Sequence, residues 1–165
     1  MKILIDADAC PVIALTQQIA KRYKMPLLLV CDTNHLLSPS YGEVLVVGQG
    51  RDAVDFALLQ RTQAGDLVVT QDYGLAAVAL GKKARVLHQN GMEYTDDTIG
   101  QLLFDRYRAG KERRSGKKAH FKGPKKRTQQ DNEHFKESLE GILSECVSTK
   151  SGVEFKGGLW YNKPE

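Results

Sequence analysis

A chain of 165 residues with 41% hydrophobic residues, 27% charged residues and a net charge of +4 has the makings of one folded domain, and its composition excludes a disordered or collagen-like chain. The longest apolar runs, Leu27 to Val30 and Val44 to Val47, are too short to span a bilayer, and Asp6 and Asp8 fall where a signal peptide needs an unbroken apolar stretch, so no membrane partner is expected. Cys10, Cys31 and Cys146 are odd in number, widely spaced and form no CxxC, which argues against a disulfide framework or a zinc ribbon and predicts a cytoplasmic location.

In chain order, Lys2 to Asp6 (KILID) reads as a short buried strand. Pro11 suits the first turn of a helix running to about Tyr23. Leu27 to Cys31 and Glu43 to Val47 are the next strands, separated by a polar loop with Asn34, Ser38, Pro39 and Gly42. Asp52 can cap a helix that ends near Ala64, with Gly65 at the position after its C-cap. Leu67 to Thr70 is a fourth strand, Leu75 to Leu80 a short helix stopped by Gly81, and Arg85 to His88 a fifth strand. Short strands alternating with helices imply parallel pairing with right-handed crossovers. The fold class is therefore α/β: a three-layer α/β/α open, mostly parallel sheet of about five strands, with a helical C-terminal extension. Thr95 or Asp96 caps a further helix to about Ala109. Asp131 to Val147 is amphipathic, with Phe135, Leu139, Ile142, Leu143 and Cys146 on one stripe, and VEFKGGLWY can form a hairpin about Gly157-Gly158. Residues 1–165 read as one domain, with a basic segment at 106–127 and a C-terminal helix plus tail at 131–165.

The basic segment holds eleven cations, Arg106, Arg108, Lys111, Arg113, Arg114, Lys117, Lys118, Lys122, Lys125, Lys126 and Arg127, against one acid, Glu112; it carries +10 and leaves −6 on the rest of the chain. Such a concentration suits a nucleic-acid or other polyanion partner; a solvated loop that keeps the protein soluble is the other reading.

Open parallel sheets bind ligands at the carboxyl ends of their strands. Asp6 ends the first strand, Asp8 lies just beyond it, Asp52 and Asp55 open the helix after the third, and Asp72 follows the fourth, so five distant carboxylates are expected at one edge. Carboxylates that close raise one another's pKa unless a cation compensates, and Mg²⁺ or Mn²⁺ is the hard, oxygen-seeking cation that fits. Taken singly, Asp8 and Asp52 are also good N-caps and Asp72 an ordinary turn residue.

The segments IDADACPV, GRDAVDFAL and GDLVVTQDYGLAAVAL resemble the YaiI/YqxD family of bacterial proteins, and the likeness continues through Arg106 to Arg108 and Gly123-Pro124 to the helix containing Phe135. That family is similar in its expected fold to PIN-domain-like nucleases. By that resemblance Asp6 matches the acid after the first strand, Asp55 with Asp52 the helix-borne acid, and Asp72 the acid of a Thr-x-Asp turn; Asp8 and Cys10 belong to the family's own motif. The resemblance implies a metal-dependent nuclease acting on RNA or single-stranded nucleic acid, with catalytic Asp6, Asp55 and Asp72. A nucleic-acid-binding module without turnover is the alternative.

Other signals compete. Asp6-x-Asp8 after a first strand also resembles the haloacid-dehalogenase phosphatase motif, although Cys10 and Pro11 follow and no convincing later motifs appear. Gly48-x-Gly50-x-x-Ala53 has the spacing of a dinucleotide fingerprint, but Asp52 and Asp55 would set carboxylates beside the pyrophosphate. Cys10 reads as a buried thiol rather than a nucleophile. His35, His88, His120 and His134 are isolated, with only His120 placed to meet a phosphate. Tyr107 and Phe121, interleaved with cations, suit base stacking or core packing equally.

Overall fold

The computed structural model describes residues 1–8, 10–34, 37–50, 52–114, 126–151, 153–156 and 159–162. Its elements are β1 (Ile3–Asp6), α1 (Ile13–Arg22), β2 (Leu27–Asp32), β3 (Glu43–Val47), α2 (Ala53–Arg61), β4 (Leu67–Val69), α3 (Tyr73–Gly81), β5 (Arg85–Leu87), β6 (Glu93–Tyr94), α4 (Asp96–Arg114), α5 (Gln129–Ser151), β7 (Val153–Lys156) and β8 (Leu159–Asn162). The main sheet has the order β3-β2-β1-β4-β5-β6, with the first five strands parallel and β6 antiparallel to β5. β7 and β8 pair antiparallel, Val153 opposite Asn162 and Lys156 opposite Leu159, which is the expected C-terminal hairpin.

Strand alternation assigns the two faces. Ile3, Ile5, Leu29, Val69 and Leu87 point to one side, where α1 gives Ile19 and Ala20 and α5 gives Phe135, Leu139, Ile142 and Leu143. Leu4, Val30, Val68 and Val86 point to the other, under Val54 and Leu58 of α2, Leu75, Ala76 and Ala79 of α3, and Ile99 of α4. The result is a three-layer α/β/α arrangement. α5 belongs to it fully, since Phe135, Leu139 and Leu143 are all 0% exposed.

Several boundaries differ from the sequence reading for local reasons. The sheet gains β6, which at two residues is too short to show a pattern. α2 stops at Arg61 because Thr62 is extended (ψ 130°) and its hydroxyl donates back to the Leu58 carbonyl at 2.9 Å; Gly65, at φ +81°, serves a later turn. α4 runs through Gly110 to Arg114, five residues past the expected end, because its last turns are rich in Lys, Arg and Glu, all good helix formers. Thr95 caps it in a reciprocal arrangement: the Thr95 N–H donates to Thr98 Oγ1 at 2.9 Å and the Thr98 N–H to Thr95 Oγ1 at 3.3 Å.

α5 is fastened to the loop between β5 and β6. Gly91 sits at φ +93°, and a Cβ there would lie 2.7 Å from the His134 carbonyl carbon and oxygen and 2.8 Å from the Phe135 nitrogen. Only glycine allows so close an approach of backbone to backbone. The His134 ring donates from Nδ1 to the Asn90 carbonyl at 2.8 Å. Arg85 grips both Glu93 oxygens, at 2.6 and 2.9 Å, and reaches Glu145 of α5 at 2.6 Å.

The chain runs from β1 outward through β2 to β3, then crosses back over to β4 on the opposite side of β1. The connections leaving β1 and β4 diverge onto opposite faces, and a crevice opens between them at the carboxyl edge, where ligands of open α/β sheets bind. Among the described residues no helix is long and apolar enough to cross a membrane.

Candidate active site

A cleft of about 930 Å³ occupies that crevice, lined by Asp6, Asp8, Asp55 and Asp72 together with Gln71, Tyr73, His88, Gln89, Asn90, Arg106, Lys126, Arg127, Thr128 and Asp131. Four of the five sequence-predicted carboxylates therefore line one cleft. Asp52 does not line the cleft; it is exposed and precedes α2 with a left-handed backbone (φ 60°) and no side-chain cap bond. It remains close enough for its charge to act on Asp55.

Asp6 ends β1, and its Oδ2 accepts a hydrogen bond from the Thr70 hydroxyl at 3.0 Å. Burial raises its carboxyl from the ordinary 3.8 to about 6; the Thr70 bond opposes this, and the charges of Asp55 and Asp8 add to it. Asp55, in the first turn of α2, is also raised, first by burial and then by Asp72, Asp52 and Asp8. These mutual effects are the electrostatic sign of carboxylates crowded without a counter-charge.

Thr70 does a second job. Its Oγ1 accepts from the Asp72 N–H at 3.0 Å, so the turn after β4 is folded around one hydroxyl. Asp72 then caps α3, its Oδ1 accepting from the Gly74 N–H at 2.6 Å and the Leu75 N–H at 3.1 Å. Its Oδ2 faces the cleft and meets Arg106 Nη1 at 3.4 Å. Asp8 Oδ1 accepts from the Asp32 N–H at 3.2 Å. The capping and catalytic readings of these acids thus use different oxygens of the same side chain at Asp72.

The walls carry the cations. Arg106 comes from α4 on one face of the sheet, whereas Lys126 and Arg127 lead into α5 on the other. Thr128 and Asp131 form the N-terminal box of α5: Asp131 Oδ2 accepts from the Thr128 N–H at 2.7 Å and its hydroxyl at 2.9 Å. His88 and Asn90, beyond β5, complete the lining. His88 Nδ1 lies 2.6 Å from Asn90 Oδ1 and 3.1 Å from the Asn90 backbone nitrogen, and burial lowers the pKa of the ring.

Thr70, His88 and Asn90 were not singled out from the sequence, yet the strand-end rule that selected Asp72 applies to them equally. Thr128 and Asp131 are visible as a Thr-x-x-Asp capping signal. Cys10 lies under the floor beside Asp6 and Asp8, and burial pushes its thiol up to about 11, which supports a structural role. Arg108 is exposed on α4 and stands over the Phe104 ring at 6.0 Å; Tyr107 is 61% exposed and Lys111 is exposed. Arg113 and Arg114 close α4. Lys117, Lys118, His120, Phe121, Lys122, Lys125 and His35 lie outside the described residues.

The donor set can be tested against a hard divalent cation. Among the described residues no three His, Cys, Asp or Glu side chains gather into a ready ligand group. The carboxylates are instead spread along the cleft. Mg²⁺ commonly accepts such a setting, since it is held through one or two carboxylates and retains several waters. The all-oxygen chemistry and the unbalanced charge at Asp6 and Asp55 fit that kind of ion.

Comparison with known proteins bears on the chain as a whole. The family model described as "Uncharacterized BCR, YaiI/YqxD family" matches residues 4–145. A UPF0178 protein of Clostridium acetobutylicum is 48% identical over 143 residues, covering 87% of this chain and 97% of that one. A UPF0178 protein of Lachnoclostridium phytofermentans is 48% identical over 149 residues, covering 90% and 100%. Another, of Exiguobacterium sibiricum, is 46% identical over 145 residues, covering 88% and 98%. No solved structure matches the chain. With nearly its whole length matched at this identity, the chain belongs to the YaiI/YqxD family.

Proposed function

We propose that this protein is a metal-dependent nuclease that hydrolyses phosphodiester bonds in RNA or single-stranded nucleic acid. The observation that carries the reading is the meeting in one cleft of four carboxylates, Asp6, Asp8, Asp55 and Asp72, with three cations, Arg106, Lys126 and Arg127. A polyanion is attracted to the cationic walls, and the acidic floor is where a hard cation can offset the repulsion between phosphate and carboxylate. The resemblance of Asp6, Asp55 and Asp72 to the acids of PIN-like enzymes points the same way.

In this reading Asp6, Asp55 and Asp72 are the acids among which one or two would hold Mg²⁺ or Mn²⁺, with Asp8 close by and Asp52 acting on Asp55 through its charge. Bound there, the ion would supply electrophilic polarisation of a phosphoryl oxygen. The chain's own residues do the rest. Thr70 orients the Asp6 carboxylate, and the α3 cap turns Asp72 Oδ2 toward the cleft. Arg106 on one wall and Lys126 and Arg127 on the other position the backbone by phosphate contacts, which fix register without reading sequence. Asp72→Asn should lower the cleavage rate by orders of magnitude while leaving binding nearly intact; cleavage at the wild-type rate would sink the assignment.

One observation favours a second reading. Asp72 Oδ1 and Asp8 Oδ1 are already committed to backbone N–H groups, as they would be in a nucleic-acid-binding module without turnover. Salt-dependent binding with no cleavage in Mg²⁺ or Mn²⁺ would establish that alternative.

A further inference from the structure

Among the described residues, two buried side-chain polar atoms lack a hydrogen-bond partner, Tyr94 Oη and Arg127 Nη2. Both adjoin the cleft. Arg127 lines it, and Tyr94 packs edge-on against Tyr73 at 6.0 Å and His88 at 5.9 Å, two residues that line it as well. A buried donor on a charged group is costly to leave unmade, so an orphan guanidinium nitrogen in a binding cleft marks the place of a missing acceptor.

Arg127 is also held in position. Its Nε donates to Asn132 Oδ1 at 2.8 Å, which fixes the plane of the guanidinium from the first turns of α5. Its charge acts on three groups at once, lowering Cys10, His88 and Asp131 relative to where burial and hydrogen bonding alone would put them. The guanidinium therefore stands between the loop after β1, the end of β5 and the start of α5. Asp131, the nearest of these acids to it in sequence, is already engaged by the Thr128 N–H and hydroxyl. Among the described residues Arg127 forms no ion pair, unlike Arg106, which is paired with Asp72 across the cleft.

We infer that Arg127 is the core of a receptor for a single phosphate group, on the wall opposite Arg106 and separate from the carboxylate floor. With Nε occupied by Asn132, the side-on fork that would clamp a carboxylate or a phosphate through two parallel bonds is closed. Nη2 offers one directed bond to a tetrahedral anion, whose other oxygens Lys126 on the same wall can meet. The inference deepens the nuclease reading by naming a phosphate position away from the acids. A strand held at Arg127 on the α5 wall and at Arg106 on the α4 wall passes over Asp6 and Asp72 between them.

The test measures binding alone. Inorganic phosphate, titrated calorimetrically into the full-length protein without divalent metal, should bind wild type. Arg127→Gln should weaken it by about tenfold or more, the loss expected for one hydrogen bond to a charged group. Asn132→Ala, which keeps the charge but frees the guanidinium, should weaken it by a smaller factor. Should Arg127→Gln fail to fold, the Arg127 side-chain N–H resonances of wild type should shift on adding phosphate. Displacement of phosphate by an oligonucleotide lacking terminal phosphates would assign the receptor to the backbone. Displacement only by a terminally phosphorylated one would assign it to a chain end, and either supports the receptor. Phosphate binding unchanged in Arg127→Gln, or no binding by wild type, overturns it. Absence of cleavage in a nuclease assay would bear on the function and not on this receptor.

Discussion

The Thr70 hydroxyl donates to Asp6 Oδ2 at 3.0 Å while accepting the Asp72 N–H at the same distance, so one buried side chain ties the end of β1 to the turn after β4 across the point where strand order reverses. Thr70→Val keeps the shape and removes both bonds. Asp6 then loses the group that holds its carboxyl down, and its pKa, already about 6, should rise further. The loss of two partly buried hydrogen bonds should cost about 1–3 kcal/mol of stability. A carboxyl-detected NMR titration checks the first effect and denaturant unfolding the second; an Asp6 pKa that falls or stays would contradict the geometry.

Asp6 also makes a prediction about pH. Its folded-state pKa lies above its unfolded value, so between 3.8 and about 6 the folded protein binds more protons than the unfolded chain, and stability falls as pH rises through that window. Above it the penalty is constant. Asp6→Asn, which still accepts from Thr70, should therefore stabilise the metal-free protein by about 1–3 kcal/mol at pH 8 and by little at pH 4. Burial lowers His88, which acts in the opposite sense below its ordinary 6.5, so the difference between wild type and variant is the quantity to follow. Added Mg²⁺ should narrow that difference by stabilising only the wild type.

Gly91 should be intolerant. Alanine there would adopt φ +93° and place Cβ 2.7 Å from the backbone of His134. We expect Gly91→Ala to cost more than about 1 kcal/mol and to loosen α5 from the loop that carries His88 and Asn90. Thermal unfolding together with hydrogen exchange across α5 measures it; a neutral substitution would mean the helix is free to shift.

The exposed cations of α4 should act as a rail for nucleic acid. Replacing Arg106, Arg108 and Lys111 with Gln should weaken single-strand binding and reduce the slope of log affinity against log salt by roughly 0.7 for each lost phosphate contact. An unchanged slope would make this helix end a solubilising feature only.

Much of this was legible in the chain. The parallel strands were visible as short apolar runs, and the rule that sites form at carboxyl ends placed Asp6, Asp8, Asp52, Asp55 and Asp72 at one edge, where all but Asp52 line the cleft. The amphipathic stripe of α5 identified Phe135, Leu139 and Leu143 as core. What sequence did not show depends on three-dimensional neighbours. Thr70 looks like the last residue of a strand until Asp6 lies beside it. Asp52 has the residue type of a cap but makes no side-chain cap bond, because a positive φ turns the backbone away from that geometry. β6 is two residues long and is defined by its pairing with Val86 and Leu87, which no local pattern encodes. The extension of α4 into the basic segment was hidden by Gly110, which a helix rich in Lys, Arg and Glu absorbs.

The most direct test of the central claim is Mn²⁺ binding by calorimetry to wild type, Asp6→Asn and Asp72→Asn. Asparagine is as good an N-cap as aspartate and still accepts from Thr70, so both variants should fold. The account predicts binding by wild type that is lost or greatly weakened in both, because the two carboxylates, one ending β1 and one capping α3, serve one ion. Absence of binding by a folded wild type, or undiminished binding in both variants, would contradict it and leave the acids as caps and turn residues beside a phosphate-binding cleft.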